Sequence, residues 1–323
     1  MYKIDLKDRK ILYELDLNCR QSNTQIGKKV GLKRDIVSYR INRLQKQGII
    51  KNFWTAIDTF RLGFNVFRIC INFQYVSSDI KNKIIQHFID YKKTWAVISI
   101  QGEINLSVVV WIKDIFEFYQ FWEETLNLYE DYFAKSIISV YIQAVSYKKT
   151  ILLPEKLKGS KRKMYDTTCG GKTVEIDEVD YKLLNELAMN ARIPLIELAE
   201  KLGCSSQNVN YRVKNLIKKD IIKAFRVGID LSKFGLQIFK VNIYLKDHKQ
   251  KKDIIKYLEN TPYLECINVA VGWSDIEPEL IVKNVQQFRE IIEDINLKFP
   301  NVIKRENFTI TEKVHKERWL PEM

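Results

Sequence analysis

The stretch GLKRDIVSYRINRLQKQGII, Gly31–Ile50, decides how the chain is read. Val37, Ile41 and Leu44 are spaced four and three residues apart. At about 100° per residue they lie on one face of a helix. Asp35, Ser38, Tyr39, Asn42 and Lys46 fall on the opposite face. A short helix with an apolar back and an outer face of hydrogen-bonding side chains suits the major groove of DNA. Taken alone, the pattern equally describes an amphipathic helix whose outer face is merely solvated. The same arrangement returns, altered, at Gly203–Ile222 as GCSSQNVNYRVKNLIKKDII.

Working outward, the chain aligns with itself without a gap at a shift of 172 residues. IDLKDRKILYELDLNCR at Ile4–Arg20 meets IDEVDYKLLNELAMNAR at Ile176–Arg192, and IIKNFWTAID at Ile49–Asp58 meets IIKAFRVGID at Ile221–Asp230. Over about 70 residues roughly a third of positions are identical. So long a period is the duplication of a whole domain pair, not a short solenoid repeat.

Each copy opens with a helix. Asp5 and Asp177 are its expected N-caps, with Asp8 and Asp180 in the first turn. Ile11, Leu12 and Leu15, or Leu183, Leu184 and Leu187, form its buried stripe. A second helix is expected over Asn23–Val30 and Leu195–Leu202. It ends at Gly31 or Gly203, where glycine permits a left-handed turn. With the third helix this is a helix-turn-helix. Ile49–Ile57 and Ile221–Ile229 then read as two short strands about Lys51-Asn52 and Lys223-Ala224, a wing beside the reading helix.

The remainder of each copy changes character. Val66–Tyr75 reads as a strand with Phe67, Ile69, Ile71 and Phe73 alternating. Helix Asp79–Tyr91, strands Trp95–Gln101 and Ile104–Ile112, helix Asp114–Leu128 and strand Ser136–Tyr147 follow. The second copy repeats the order: strand Gln237–Leu245, helix Lys249–Glu259, strands Glu265–Val271 and Pro278–Val282, helix Val285–Leu297, strand Val302–Val314. This βαββαβ order is the ferredoxin-like pattern. Such a sheet leaves one face bare, and two in one chain can cover each other. The fold class is therefore α+β: two winged helix-turn-helix domains (1–60 and 176–232) and two ferredoxin-like domains (64–148 and 236–323) in tandem repeat. Between them, 149–175 reads as a linker, because Pro154, Gly159 and Gly170-Gly171 disfavour helix or strand. Its run Lys161-Arg162-Lys163 is either a contact to DNA backbone or a solvated stretch.

Composition agrees. The chain of 323 residues is 46% hydrophobic and carries a formal charge of +13, which favours polyanionic partners, nucleic acid first. The charge is uneven. Residues 1–51 hold 13 Lys/Arg against 5 Asp/Glu, whereas residues 176–223 hold 8 against 7. The first head is thus the stronger electrostatic anchor. Five scattered cysteines without a Cys-x-x-Cys argue for reduced thiols rather than a disulfide or zinc framework. The absence of a signal-like start or an apolar run near 18 residues predicts a cytoplasmic protein with no membrane partner.

The opening IDxxDxxIL-like pattern, the Asn-x-Arg at Asn18–Arg20 and Asn190–Arg192, the Tyr-Arg helix and the Ile-Asp after it resemble the Lrp/AsnC family of prokaryotic transcription regulators. The likeness covers nearly the whole chain twice and looks like the tandem, archaeal versions. It implies binding of double-stranded DNA by the winged helices and intramolecular pairing of the two sensing domains. It leaves open a homodimer or higher oligomer. It also implies a free amino acid or other small effector near the turn between the second and third strands of each sensing domain. The corresponding residues are Gly102 and Asn105, and Gly272 and Asp275; Asn105 departs from the family's Gly-x-x-Asp.

On DNA, Lys33, Arg34, Asp35, Ser38, Tyr39 and Asn42 form the reading face of the first head. Arg34 suits guanine, Asn42 adenine and Asp35 a cytosine amine, and Arg40 and Arg43 flank the face as phosphate contacts. The second head offers Ser205, Ser206, Gln207, Asn210, Tyr211 and Lys214, with Arg212 in the place of Arg40. Unlike faces predict unlike half-sites. No cofactor, metal or catalytic residue is expected. An enzyme is the alternative, because siroheme decarboxylases share this two-domain outline; they need His and Arg near a tetrapyrrole. His87, His248 and His315 form no such cluster in the sequence. A ligand sensor that has lost DNA binding is a further alternative, against which the basic first head argues.

Overall fold

The computed structural model describes residues 4–156 and 161–322. The linker's Gly159 lies outside the described residues.

Each head is built as its local signals require. Helix α1 (Leu6–Leu17) starts at Asp5, which accepts from the Asp8 amide while the Asp8 carboxylate accepts from the Asp5 amide. Helix α2 (Asn23–Val30) stops at Gly31, φ 68°, and α3 (Arg34–Lys46) buries Val37, Ile41 and Leu44. The second head repeats this with α6 (Glu178–Met189), α7 (Leu195–Leu202) and α8 (Ser206–Lys218), the last burying Val209, Val213 and Leu216.

The wing differs from expectation. Ile50–Ile57 is one unbroken strand, β1, and Ile222–Ile229 is another, β7. Neither folds back on itself. Neither Lys51-Asn52 nor Lys223-Ala224 contains the glycine that the tight two-residue hairpin turns favour, so closure is weakly encoded. Instead β1 and β7 pair antiparallel with each other, Ile50 opposite Ile229 and Ile57 opposite Ile222. Each residue thus faces the copy of a residue at the strand's other end, which is the signature of a local two-fold axis. The flanking bonds obey the same symmetry. Arg20 donates to the carbonyls of Ala191 (2.7 Å) and Ile193 (3.2 Å), and Arg192 to those of Cys19 (2.6 Å) and Gln21 (3.4 Å). The Cys19 amide donates to Phe225 and the Ala191 amide to Phe53.

The sensing halves are β2 (Asn65–Phe73), α4 (Ser78–Asp90), β3 (Thr94–Gln101), β4 (Leu106–Ile112), α5 (Ile115–Tyr129) and β5 (Phe133–Tyr147), then β8 (Gln237–Leu245), α9 (Lys251–Glu259), β9 (Leu264–Val271), β10 (Glu277–Val282), α10 (Val285–Lys298) and β11 (Ile303–Glu317). The two sheets do more than cover each other. They join edge to edge through β3–β11 and β5–β9 in the order β2-β4-β3-β11-β8-β10-β9-β5, and β5 pairs back to β2. Eight antiparallel strands close into a ring, which leaves no open edge along it. Phe67, Ile69 and Ile71 face outward under α4 and α5, as their alternation predicts, while Val66 and Cys70 face inward. Inside, the Arg68 guanidinium from one copy grips Glu277 from the other at 2.6 and 2.9 Å.

The linker also departs from expectation. Lys163–Thr168 is a strand, β6, pairing with the part of β5 that extends beyond β2. That extension offers unpaired backbone groups, and satisfying them outweighs the weak local propensity. Arg162 is neither solvated nor a DNA contact. It is buried and donates to the carbonyls of Leu264 (2.7 Å), Lys148 (3.1 Å), Glu259 (3.3 Å) and Thr261.

Heads and ring are tied by a buried ion cluster. Asp16 on α1 meets Arg226 on β7 at 2.6 Å; both side chains are wholly buried. Lys149 reaches Asp16 (3.3 Å) and Glu265 on β9 (2.5 Å), and Arg226 reaches Ser146 (3.0 Å). Burial by itself raises the Asp16 carboxyl, but Arg226 and Lys149 hold it below its ordinary value. A depressed carboxylate contributes stability above its unfolded pKa, and that stability is lost as pH falls through the folded value. Asp16→Asn is therefore expected to cost roughly 3–5 kcal/mol at pH 7, because it strands a buried guanidinium. The deficit should shrink as pH drops below the ordinary carboxylate value of 3.8; urea unfolding across pH checks both. For the head junction, Arg20→Ala and Arg192→Ala should each cost on the order of 2 kcal/mol through their reciprocal carbonyl bonds, with Arg192→Ala the costlier because Arg192 also donates to the Asn23 side chain at 3.0 Å. A urea midpoint left unchanged by either substitution would contradict the reciprocal junction.

Candidate nucleic-acid interface

Helices α3 and α8 carry the reading faces. On α3, Lys33, Arg34, Asp35 and Asn42 are exposed, Tyr39 is 64% exposed and Ser38 half-buried. On α8, Ser205, Gln207, Asn210 and Lys214 are exposed, Tyr211 is 69% exposed and Ser206 half-buried. The apolar back of each helix sits in its head's core, so these side chains face outward. The helix starts differ. Ser205 caps α8 by accepting from the Asn208 amide, whereas Lys33 makes no side-chain cap on α3. A start without a side-chain cap leaves its first amides available to an anion such as phosphate.

The two expected phosphate contacts of the first head are engaged within the protein. Arg40 pairs with Asp5 and Asp8, each at 2.8 Å, and Arg43 with Asp8 at 2.7 Å. Arg212 repeats the motif with Asp177 and Asp180, both at 2.7 Å. Burial would raise the Asp5 carboxyl, but Arg40 and the Asp8 amide together hold it low; the Asp180 amide and Arg212 do the same for Asp177. The Tyr-Arg pair of each copy thus divides its work: tyrosine points outward and arginine pins α3 to α1, or α8 to α6. The helical wheel puts both near the outer face and cannot see the acids on the neighbouring helix.

The turns that the family likeness marked for an effector are tightly built. Gly102 sits at φ 137° and Gly272 at φ 94°. A methyl group on Gly102 would lie 3.0 Å from the Phe308 carbonyl oxygen, and one on Gly272 2.7 Å from that of Ile138. Each glycine is required by the last strand of the opposite copy. Asn105 accepts from the Phe73 amide at 3.0 Å, and Asp275 accepts from the Leu245 amide at 2.8 Å. Asn and Asp do the same structural task here, so the first copy's departure costs it nothing. Trp273 is pinned by Asn242 (2.6 Å) and lies over Arg68.

The three histidines occupy separate surroundings: His87 beside Thr125, His315 beside Ser99, and His248 near Asp275. Among the described residues no His, Cys, Asp or Glu group has metal-site geometry, and no helix is long and apolar enough to cross a membrane.

Comparison with known proteins agrees with this geometry. A family described as winged helix-turn-helix DNA-binding matches residues 4–51 and again 176–223. An HTH-type transcriptional regulator of Pyrococcus abyssi is 28% identical over 139 residues, 43% of this chain and 94% of that protein. The regulatory protein AsnC of Haemophilus influenzae is 36% identical over 86 residues, 26% of this chain and 57% of its own. The Pyrococcus relative accounts for under half of this chain with nearly all of its own, as expected of a duplication. Over the full length, the chain is similar in fold to the siroheme decarboxylase NirDL: TM-score 0.63, 10% identity, 96% of this chain and 92% of that one. At that identity the likeness is one of fold alone. With a winged helix-turn-helix DNA-binding match in each copy, two joined ferredoxin-like halves and relatives named as transcription regulators, the chain is similar, once in each half, to regulators of the AsnC type.

Proposed function

We propose that this regulator binds double-stranded DNA through α3 and α8 together, reading two unlike half-sites, with the first head as the stronger grip. The observation that carries the reading is the reciprocal junction of the heads. Two helices related by a two-fold axis match two half-sites related by the dyad of a duplex. The side chains on those helices break the symmetry: Arg34, Asp35 and Asn42 have Ser206, Gln207 and Lys214 as their copies. A pair of identical chains is confined to identical half-sites, and a fused pair is not. Relatives named as transcription regulators support this reading.

In a fluorescence-anisotropy titration against DNA selected from a random pool, Arg34→Ala should weaken binding by about 1–3 kcal/mol and relax one position of one half-site. Gln207→Ala should cost less, and equal losses would sink the unequal-head reading. Arg40→Ala should instead lower the thermal midpoint, because it loosens α3 from α1, whereas Arg34→Ala should leave that midpoint unchanged. Affinity should fall steeply with salt, and Lys33→Ala should reduce the log–log slope by about 1.

A further inference from the structure

Between the β1–β7 ribbon and the mouth of the strand ring lies a chamber of about 260 Å³. Four of the chain's six tryptophans line it. Trp54 of the ribbon stacks on Trp319 with centroids 3.7 Å apart and planes 11° apart. Trp95 stacks on Trp111 at 5.5 Å and meets Trp319 edge-on at 6.1 Å, so the four rings form one continuous array. Protein interiors are close-packed, and an aromatic cluster serving only as core would fill its own space. This one leaves a void, and two of its lining residues also carry unpartnered polar atoms beneath its surface. The Trp111 indole N–H and the second carboxylate oxygen of Glu265 are buried with no partner among the described residues. Such groups are costly to leave bare.

The wall is also acidic. Glu265, Glu279 and Glu317 all border the chamber. Lys149 holds one oxygen of Glu265, and Lys240 holds Glu279 at 3.2 Å. Glu317, at the end of β11, is exposed by surface area, yet desolvation pushes its carboxyl up against the pull of Lys240 and Lys51. Both follow if that surface faces the chamber rather than bulk water. The two copies contribute unlike residues at the chamber's roof. Trp54 and Arg226 are repeat equivalents and stand directly opposite each other in the ribbon. On the Arg226 side the corresponding space is filled by the guanidinium with Asp16 and Ser146.

We propose that this chamber is a binding site for a single small, flat organic cation, such as an aromatic N-heterocyclic or quaternary amine, held against the tryptophan array with its charge toward Glu317. Indole faces attract cations through their quadrupole, and a desolvated carboxylate completes the recognition. Lys149 and Lys240 offset Glu265 and Glu279, which leaves Glu317 as the carboxylate that selects against an anionic ligand. The site does not depend on the DNA-binding reading. It joins the ribbon that unites the heads to the ring beneath, so an occupant touches both bodies.

Isothermal titration of the full chain with N-methylquinolinium tests this, with quinoline-2-carboxylate and uroporphyrin as anionic arms. One site per chain is expected for the cation, with a rise in thermal midpoint, and neither effect for the anions. Glu317→Gln should weaken the cation at least tenfold while leaving the unliganded midpoint unchanged or higher. Trp319→Phe, which keeps the packing but shrinks the aromatic face, should weaken it severalfold. Absence of heat and of a midpoint shift at millimolar cation would overturn the proposal. So would equal binding of an anion, a stoichiometry of two, or an affinity indifferent to Glu317→Gln in a folded variant.

Discussion

Everything in this molecule depends on β1 and β7 satisfying each other's backbone. A single exposed strand after each head would leave a row of amides and carbonyls unpaired. Duplication supplies the partner within the same chain, and antiparallel pairing of a strand with its own copy imposes a two-fold axis. The reciprocal Arg20 and Arg192 bonds lock that axis on both sides. Because the partner is covalently attached, the arrangement does not rise and fall with protein concentration as a homodimer's does.

The symmetry is kept where backbone geometry requires it and abandoned where side chains are free to differ. The capping aspartates, the arginines that pin the reading helices and the acceptors in the two sensing turns recur in both copies, even where Asn105 replaces an aspartate. The outer faces of α3 and α8 do not recur, nor do Trp54 and Arg226 at the ribbon's centre. One of that pair opens onto an aromatic chamber and the other anchors a buried ion cluster. Two identical chains place the same residue on both sides of their axis, so duplication was the precondition for this division.

Helix positions, their caps and their stops were legible because each is set by neighbours a few residues away: Asp5 and Ser22 at starts, Gly31 and Gly203 at ends. The βαββαβ order followed from alternation such as Phe67, Ile69 and Ile71. The wings and the linker were misread because a strand's partner lies far away in sequence. Nothing within Ile50–Ile57 says that its partner is 172 residues distant rather than folded back upon it. The partners of Arg162 and Arg40 are illegible for a related reason: a basic residue's surroundings depend on the acids or carbonyls that tertiary packing brings to it.

The sequence by itself determined the duplication, the two kinds of domain, and which helix in each head turns its polar face outward, since these rest on periodicities and spacings internal to each segment. Only the tertiary structure decided that the strands pair across copies and that the sheets close into a ring. It alone revealed which arginines are committed to buried partners and where the tryptophans meet. Those outcomes depend on contacts between segments far apart in the chain, where the gain comes from satisfying backbone groups and burying charge against charge, and no local pattern records the partner.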